Sequence, residues 1–298
     1  MYIVIVNSHS GRKNFRKLPN YFNNKESSIS FVPYYTSKYQ EKDLWDQVKR
    51  FISLNKVAIQ GVIIVGGDGT FHEAINQLHN FNVPFGLIPT GSANDFAKAL
   101  KIPLNQKKAL HRITSGLPSS YDLLMVNHKR VLSVAGMGID AETAIKTNSS
   151  SLKKWLNRIY LSKLTYLLTF FTLIRQYHPF KAELTFQDGS KKFFDRVWLL
   201  AIGNTVYYGG GIPICPSANP QDGLTEVIIV HRLSVITLLL VLPTVFLRLH
   251  TFLPYVTKIQ SSSFSVKTEH PVLVQGDGEK IGHTPQKISV QSDAIKIF

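Results

Sequence analysis

The chain of 298 residues has one cysteine, Cys215. No disulfide framework and no thiolate metal site can form within it, so a reducing compartment is expected. Acids are scarce too. Against 34 Lys and Arg stand 19 Asp and Glu, a formal net charge of +15 at pH 7. That excess argues against a cationic partner and points to an anionic one: nucleic acid, phosphate-bearing ligands or an anionic membrane surface. Long apolar runs are missing as well. The longest, "LSVITLLLVLPTVFL" (Leu233–Leu247), contains Pro243 and meets Arg248. It falls short of the roughly 20 residues that span a bilayer. The N-terminal "MYIVIVNSHSG" lacks the basic region and long apolar stretch of a signal peptide. The expectation is a cytoplasmic protein that touches a membrane without crossing it. His9, His79, His111 and His128 are scattered without metal-ligand spacing, which argues against zinc. Aromatic residues do not alternate with basic ones as in a nucleic-acid platform, so nucleic acid is not an expected partner.

What is present is an alternation of short β-branched runs with helical patterns. "YIVIVN" (Tyr2–Asn7) reads as a buried parallel strand. "DLWDQVKRFISL" (Asp43–Leu54) places Leu44, Val48, Phe51 and Ile52 at helical spacing. A strand over Val62–Val65, a glycine loop, a helix over Phe71–Leu78, a strand in "PFGLIP" (Pro84–Pro89), the loop "TGSAND" and a helix "DFAKAL" follow. This is the pattern of an α/β layered domain. After about Tyr121 strand-like segments succeed one another with few helices between, which predicts a second, β-rich domain of antiparallel, sandwich-like type. Two apolar segments interrupt it, Leu152–Ile174 and Leu233–Leu247. Both read as helices packed on a sheet. One face of either could also wall a lipid-chain pocket or rest on a bilayer, its lysines meeting headgroups.

Three loops carry the chemistry. In "VIIVGGDGTFHE" a strand gives way to Gly66-Gly67-Asp68-Gly69-Thr70 and then to a helix. Glycines let the backbone turn sharply and offer consecutive N–H groups to an anion, and the helix adds the positive end of its dipole. An aspartate beside a phosphate is offset when it holds Mg²⁺ or accepts from a sugar or from loop N–H groups. "NSHSG" (Asn7–Gly11) and "PTGSANDFA" (Pro89–Ala97) follow other strands. In a parallel sheet such loops converge on one edge, where ligands bind. None matches the P-loop or the GxGxxG pattern. Downstream, Asp277 and Glu279 flank a glycine in "GDGE". Read alone, that stretch is good hairpin-turn sequence.

With "GGDGTFHE", "PTGSANDFA", "YDLLMVN", "GMGIDAE", "YYGGG…PSANPQDGLTEV" and "GDGE" in this order, the chain resembles soluble bacterial diacylglycerol kinases along its whole length. That family includes sphingosine and ceramide kinases and is related to NAD kinase. The resemblance implies an ATP-binding α/β domain over residues 1–121, completed by a last strand near Ile288–Phe298. It implies a lipid-binding β-rich domain over 122–287, with the active site in the cleft. It implies ATP contacts from Asn7, Ser8, His9, Ser10, Gly11, Thr36, Gly66, Gly67, Asp68, Gly69, Thr70, Phe71, His72, Glu73 and Ser92, with Asn94 and Asp95 shaping the same loop. Asp68 would act through Mg²⁺ and water near the phosphates. Asp122 and Asp140 would line the cleft. Asp222, with Asn219 and Leu224, would hold a structural Mg²⁺. Asp277 or Glu279 would be the general base.

Three positions depart from the family pattern: Ser8 for proline, Ser92 for threonine and His72 for asparagine. No carboxylate is lost, so an active enzyme is expected. The resulting reading is an ATP- and Mg²⁺-dependent lipid kinase that converts diacylglycerol, or a related lipid, to phosphatidic acid. It would work peripherally at the inner, anionic membrane face, where its basic charge holds it. The rivals are a kinase of a soluble acceptor, as in NAD kinase, and a nucleotide-sensing membrane-surface module without turnover. The identity of the lipid and the formation of a homodimer stay open at this level.

Overall fold

A computed structural model describes residues 1–8, 30–149 and 162–298. His9, Ser10 and Gly11, and residues 152–161 of the first apolar segment, lie outside the described residues. The chain divides into two compact units: Met1–Tyr121 with Asp293–Phe298, and Asp122–Ser292.

Unit 1 is built on four parallel strands: β1 (Tyr2–Val6), β2 (Phe31–Tyr35), β3 (Gly61–Gly66) and β4 (Phe85–Pro89), in the order β4-β3-β1-β2. Every residue of β1, β3 and β4 is buried. Continuous apolar runs of this kind need cover on both faces, which helices supply. Helix α1 (Glu41–Leu54) buries Leu44, Trp45, Val48 and Ile52. Helix α2 (Asp68–Leu78) buries Phe71, Ala74, Ile75 and Leu78. Two shorter helices follow, α3 (Asp95–Ala99) and α4 (Gln106–Ser115). The C-terminus closes this unit. Ile297 pairs with Phe85, and the Phe298 carbonyl accepts from Arg112 Nε at 3.1 Å. Gly61 makes room for the Phe298 ring, which a Cβ there would meet at 2.8 Å.

Unit 2 is antiparallel. It holds β5 (Ser119–Val126, from Asp122 on), β6 (Lys129–Val131), β7 (Val134–Gly138), β8 (Phe180–Phe186), β9 (Lys191–Gly203), β10 (Thr225–His231), β11 (Val256–Ser261), β12 (Ser263–Thr268), β13 (Leu273–Gly276), β14 (Glu279–His283) and the larger part of β15 (Gln286–Ile297). The long β9 pairs with β8 along its first half, and with β7 and β10 along its second. One apolar cluster, with Leu124, Met137, Leu200, Ile229, Val266 and Ile288, fills the β-sandwich. A second lies on the other face of the same strands, around Trp198, Ala201 and Ile228. Helix α6 (Ser162–Leu173) covers that face with Phe170 and Leu173, and helix α7 (Val235–Phe246) with Leu238, Val241 and Val245. Helix α5 (Ile139–Ser149) follows β7 directly. The architecture is thus an α/β domain followed by a β-rich one.

One boundary moves. The sequence pattern starts the second helix at Phe71, but it begins at Asp68 with Gly67 as N-cap. Asp68, Gly69 and Thr70 are therefore its first turn rather than loop.

Candidate active site

In unit 1 two glycine turns lie backbone against backbone. A Cβ on Gly91 would meet Gly67 Cα at 2.6 Å, and one on Gly67 would meet Gly91 Cα at 3.0 Å. Thr90 N–H donates to the Gly66 carbonyl at 2.8 Å. Asp68 then ties the turns together. Its Oδ2 accepts from Asp95 N–H at 3.0 Å and its Oδ1 from Phe96 N–H at 3.1 Å. These are first-turn donors of α3 that have no partner in their own helix. Asn94, at φ 52°, holds the turn before them by donating from Nδ2 to the Gly91 carbonyl at 2.8 Å. Asp95 is buried and lies 3.4 Å from Lys98 Nζ.

The first loop joins the same edge. Asn7 Nδ2 donates to Thr70 Oγ1 at 2.7 Å, and Ser8 N–H to Thr36 Oγ1 at 3.1 Å. Asn7, Ser8, Thr36, Gly66, Gly67, Asp68, Gly69, Thr70, Asn94 and Asp95 are therefore one assembly, with exposed Ser92 on the turn between. Two residues of the expected set sit differently. Phe71 is fully buried against Phe85 and Phe96, so its side chain holds the helix on the sheet. Glu73 accepts from Trp45 Nε1, which fixes α2 to α1. His72 is half-buried on the same helix.

Unit 2 arranges its acids in three ways. Asp277 and Gly278 join β13 to β14 with φ of 51° and 88°, the pair of positive angles of a type I′ hairpin. The "GDGE" stretch is thus a turn, and its aspartate is also an anchor. Asp277 Oδ2 accepts from Leu132 N–H at 2.7 Å, and Oδ1 from Ser133 at 2.8 Å and Val134 at 3.3 Å. Glu279, two residues on, is exposed. Asp122 is buried, and its Oδ2 accepts from Gly223 N–H at 2.8 Å. It thereby holds the Asn219–Leu224 turn, which Asp222 Oδ1 closes by accepting from Leu224 N–H at 2.9 Å.

Asp140 differs from both. It is 2% exposed, and neither carboxyl oxygen makes a well-formed hydrogen bond. Burial raises its carboxyl to about 7, against a weaker lowering pull from the Gln275 side chain and the Ala141 backbone. It fits only because residue 136 is glycine, since a Cβ there would lie 2.2 Å from Asp140 Oδ2. Burial, with Glu142 and Asp140 adding negative charge, also raises the Tyr177 hydroxyl.

Gln275 escaped the sequence reading. It is buried, faces Gly136 across the β13–β7 ladder, and accepts from Gly278 N–H at 2.8 Å. It connects the hairpin to Asp140. Its only signal is a polar residue inside an otherwise apolar strand. Asn204 also went unnoticed. It is fully buried and donates to the carbonyls of Asp122 and Leu132 at 3.0 and 2.8 Å.

Comparison with known families decides what this assembly belongs to. Residues 1–126 match the diacylglycerol kinase catalytic domain, and residues 133–298 match the YegS C-terminal NAD kinase beta sandwich-like domain. The chain belongs to the diacylglycerol kinase family. A diacylglycerol kinase of Mycobacterium tuberculosis (strain ATCC 25618 / H37Rv) is 28% identical over 243 residues, covering 80% of this chain and 76% of that one. The crystal structure of a Bacillus anthracis (strain Sterne) diacylglycerol kinase shares the fold with a TM-score of 0.70, at 19% identity over 99% of this chain and 95% of that one. The protein is accordingly a lipid kinase, and a kinase of this family takes ATP as its phosphoryl donor. Among the described residues no helix is long and apolar enough to cross a membrane, and no cluster of three or more His, Cys, Asp or Glu could by itself hold a metal ion.

Proposed function

We propose that this lipid kinase transfers the γ-phosphoryl group of ATP to the hydroxyl of diacylglycerol, or of a closely related lipid, giving a phosphatidic acid. Unit 1 holds the nucleotide and unit 2 the lipid. The observation that carries the reading is the Asp68 tie. One carboxylate orients the start of α3 against the start of α2, and with it the two glycine turns that touch at Gly67 and Gly91. Small residues and first-turn N–H groups of α2 then face a phosphate without side-chain obstruction. A Cβ on Gly69 would meet nothing within 4 Å, so there is open space at that turn.

Phosphoryl transfer to an alcohol asks the protein for positioning, for charge at the phosphates and for a base. Mg²⁺ fits the donor set, because the carboxylate oxygens of Asp68 are hard ligands beside the phosphate-facing turn. When bound it supplies positive charge at the phosphates. For a second, structural ion we propose Asp222 with the main-chain oxygens of Asn219 and Leu224, which are oxygen donors only. Of the two carboxylates in "GDGE" we assign the base to Glu279. Asp277 is committed to three backbone N–H donors and positions the hairpin, whereas Glu279 is exposed beside it.

The test is an incubation of the protein with Mg²⁺, radiolabelled ATP and mixed micelles carrying diacylglycerol, followed by organic extraction. Label in phosphatidic acid, lost in Asp68→Ala, is the expected result. Label in another lipid of a membrane extract would change the acceptor. Label in no lipid would move the activity to a soluble acceptor.

A further inference from the structure

We propose that the outer faces of α6 and α7 dock on an anionic bilayer, with α7 lying in the headgroup plane. The inference rests on the lipid-kinase reading for its purpose, since the acceptor lipid resides in a bilayer, but it is carried by the surface itself.

Helix α7, "VITLLLVLPTVF", contains no charged residue. Its inner side is in the core through Leu238, Val241 and Val245. Its outer side is as apolar as its inner one. Ile236, Leu240 and Leu247 are 73%, 71% and 68% exposed. With Pro243 between them they recur at steps of four, three and four, a single stripe along the helix. Phe252, just beyond, is also exposed. Helix α6 covers the same sheet face, and its Leu168 and Phe171 are exposed in turn. Scattered exposed apolar residues are ordinary, but a stripe along α7, with Leu168 and Phe171 of α6 exposed over the same sheet face, marks a surface that meets another phase.

Charge identifies the partner. Between Glu142 and Glu183, a segment that includes α6, the sequence has seven Lys or Arg and no acid, and between Glu226 and Glu269, which includes α7, four and no acid; of these, Lys181 and Arg232 face Glu269 and Asp195 at 3.8 Å. An anionic surface is attracted to such segments, while a second copy carrying the same +15 charge is repelled. Arginines also bracket the stripe. Arg232 stands two residues before the N-cap Ser234, and Arg248 follows the last turn. Arg248 N–H donates to the Val245 carbonyl and Leu249 N–H to that of Thr244, both at 2.9 Å, with Arg248 at φ 59°. This is a Schellman C-cap, whose left-handed position normally takes glycine. Here it carries a guanidinium that donates to the Tyr207 hydroxyl at 2.7 Å, a cation and a phenol together at the edge of an apolar face. Such pairs suit the level of lipid headgroups. Twelve residues are too few to span a bilayer, so α7 lies on it.

The test is co-sedimentation of the full chain with vesicles of phosphatidylglycerol and phosphatidylcholine, or of phosphatidylcholine alone. The wild type is expected to pellet with the anionic vesicles. The triple variant Ile236→Ser, Leu240→Ser, Leu247→Ser should bind them at least about tenfold more weakly. Arg248→Gly should bind about fivefold more weakly. It should melt no lower than the wild type, because glycine suits the left-handed position. That pairing separates lost docking from lost folding. A triple variant that pellets like the wild type would overturn the proposal. So would a wild-type dimer that the triple variant converts to monomer without any difference in vesicle binding. Binding to anionic vesicles by a protein that phosphorylates no lipid would sink the functional reading and leave the docking surface standing.

Discussion

The tripeptide Gly-Asp-Gly occurs in both units, at Gly67–Gly69 and at Gly276–Gly278. In unit 1 it opens a helix and Asp68 has helical geometry. In unit 2 it closes a hairpin and Asp277 is left-handed at φ 51°. In both the carboxylate turns back onto backbone N–H groups of another segment, those of Asp95 and Phe96 in one case and of Leu132, Ser133 and Val134 in the other. The shared lesson is that a short acid flanked by glycines can clamp a neighbouring loop, whatever the turn around it does. The difference is what stands next. Asp68 sits among small residues suited to phosphate, while Asp277 is followed by an exposed glutamate.

Glu279→Gln should have the largest effect. If Glu279 takes the proton, kcat falls about 10²–10⁴-fold while the melting temperature holds. Asp277→Ala should show the reverse emphasis, losing about 3 kcal/mol or more in denaturant unfolding, because three backbone donors lose their acceptor. Asp277→Asn, which tolerates the left-handed position, should lose less.

Asp140 supplies the contrast of a carboxyl that clamps nothing. Its folded-state value of about 7 lies above the ordinary value of 3.8. Below about pH 4 it is protonated folded or unfolded and contributes nothing. Between about pH 4 and 7 the unfolded chain releases the proton that the fold keeps, so this group lowers stability as pH rises, by an amount on the order of a few kcal/mol, and the loss levels off above pH 7. Asp140→Asn should remove that slope from the stability–pH profile. An unchanged slope would show that Asp140 finds a partner on folding.

The smallest expected effect separates the glycines. Gly91→Ala brings a Cβ to 2.6 Å from Gly67 Cα and should lower the melting temperature and raise KM for ATP. Gly69→Ala meets nothing within 4 Å and should leave stability within about 0.5 kcal/mol.

The parallel strands of unit 1 were legible because runs such as "YIVIV" and "GVIIV" are short, apolar throughout and rich in β-branched residues, as strands buried on both faces are. The start of α2 was not, because Asp, Gly and Thr each favour loops when read singly, while here the acid lies in the first turn at the positive end of the helix dipole. "GDGE" offered two readings, turn and carboxylate pair, and its geometry is the turn. What no local pattern could give is the neutralising burial of Asp140, which depends on Gly136 facing it from the strand before, and on Gln275 from a strand more than a hundred residues later in sequence. Contacts between distant segments leave no period to read.

The proposed assignment gives Glu279 the role of base and Asp277 that of clamp. Its most direct test is the rate of label transfer from ATP to diacylglycerol by Glu279→Gln, measured beside the melting temperature. A fall in kcat of about a hundredfold or more with an unchanged melting temperature is predicted. Wild-type kcat in a normally folded Glu279→Gln enzyme would contradict it.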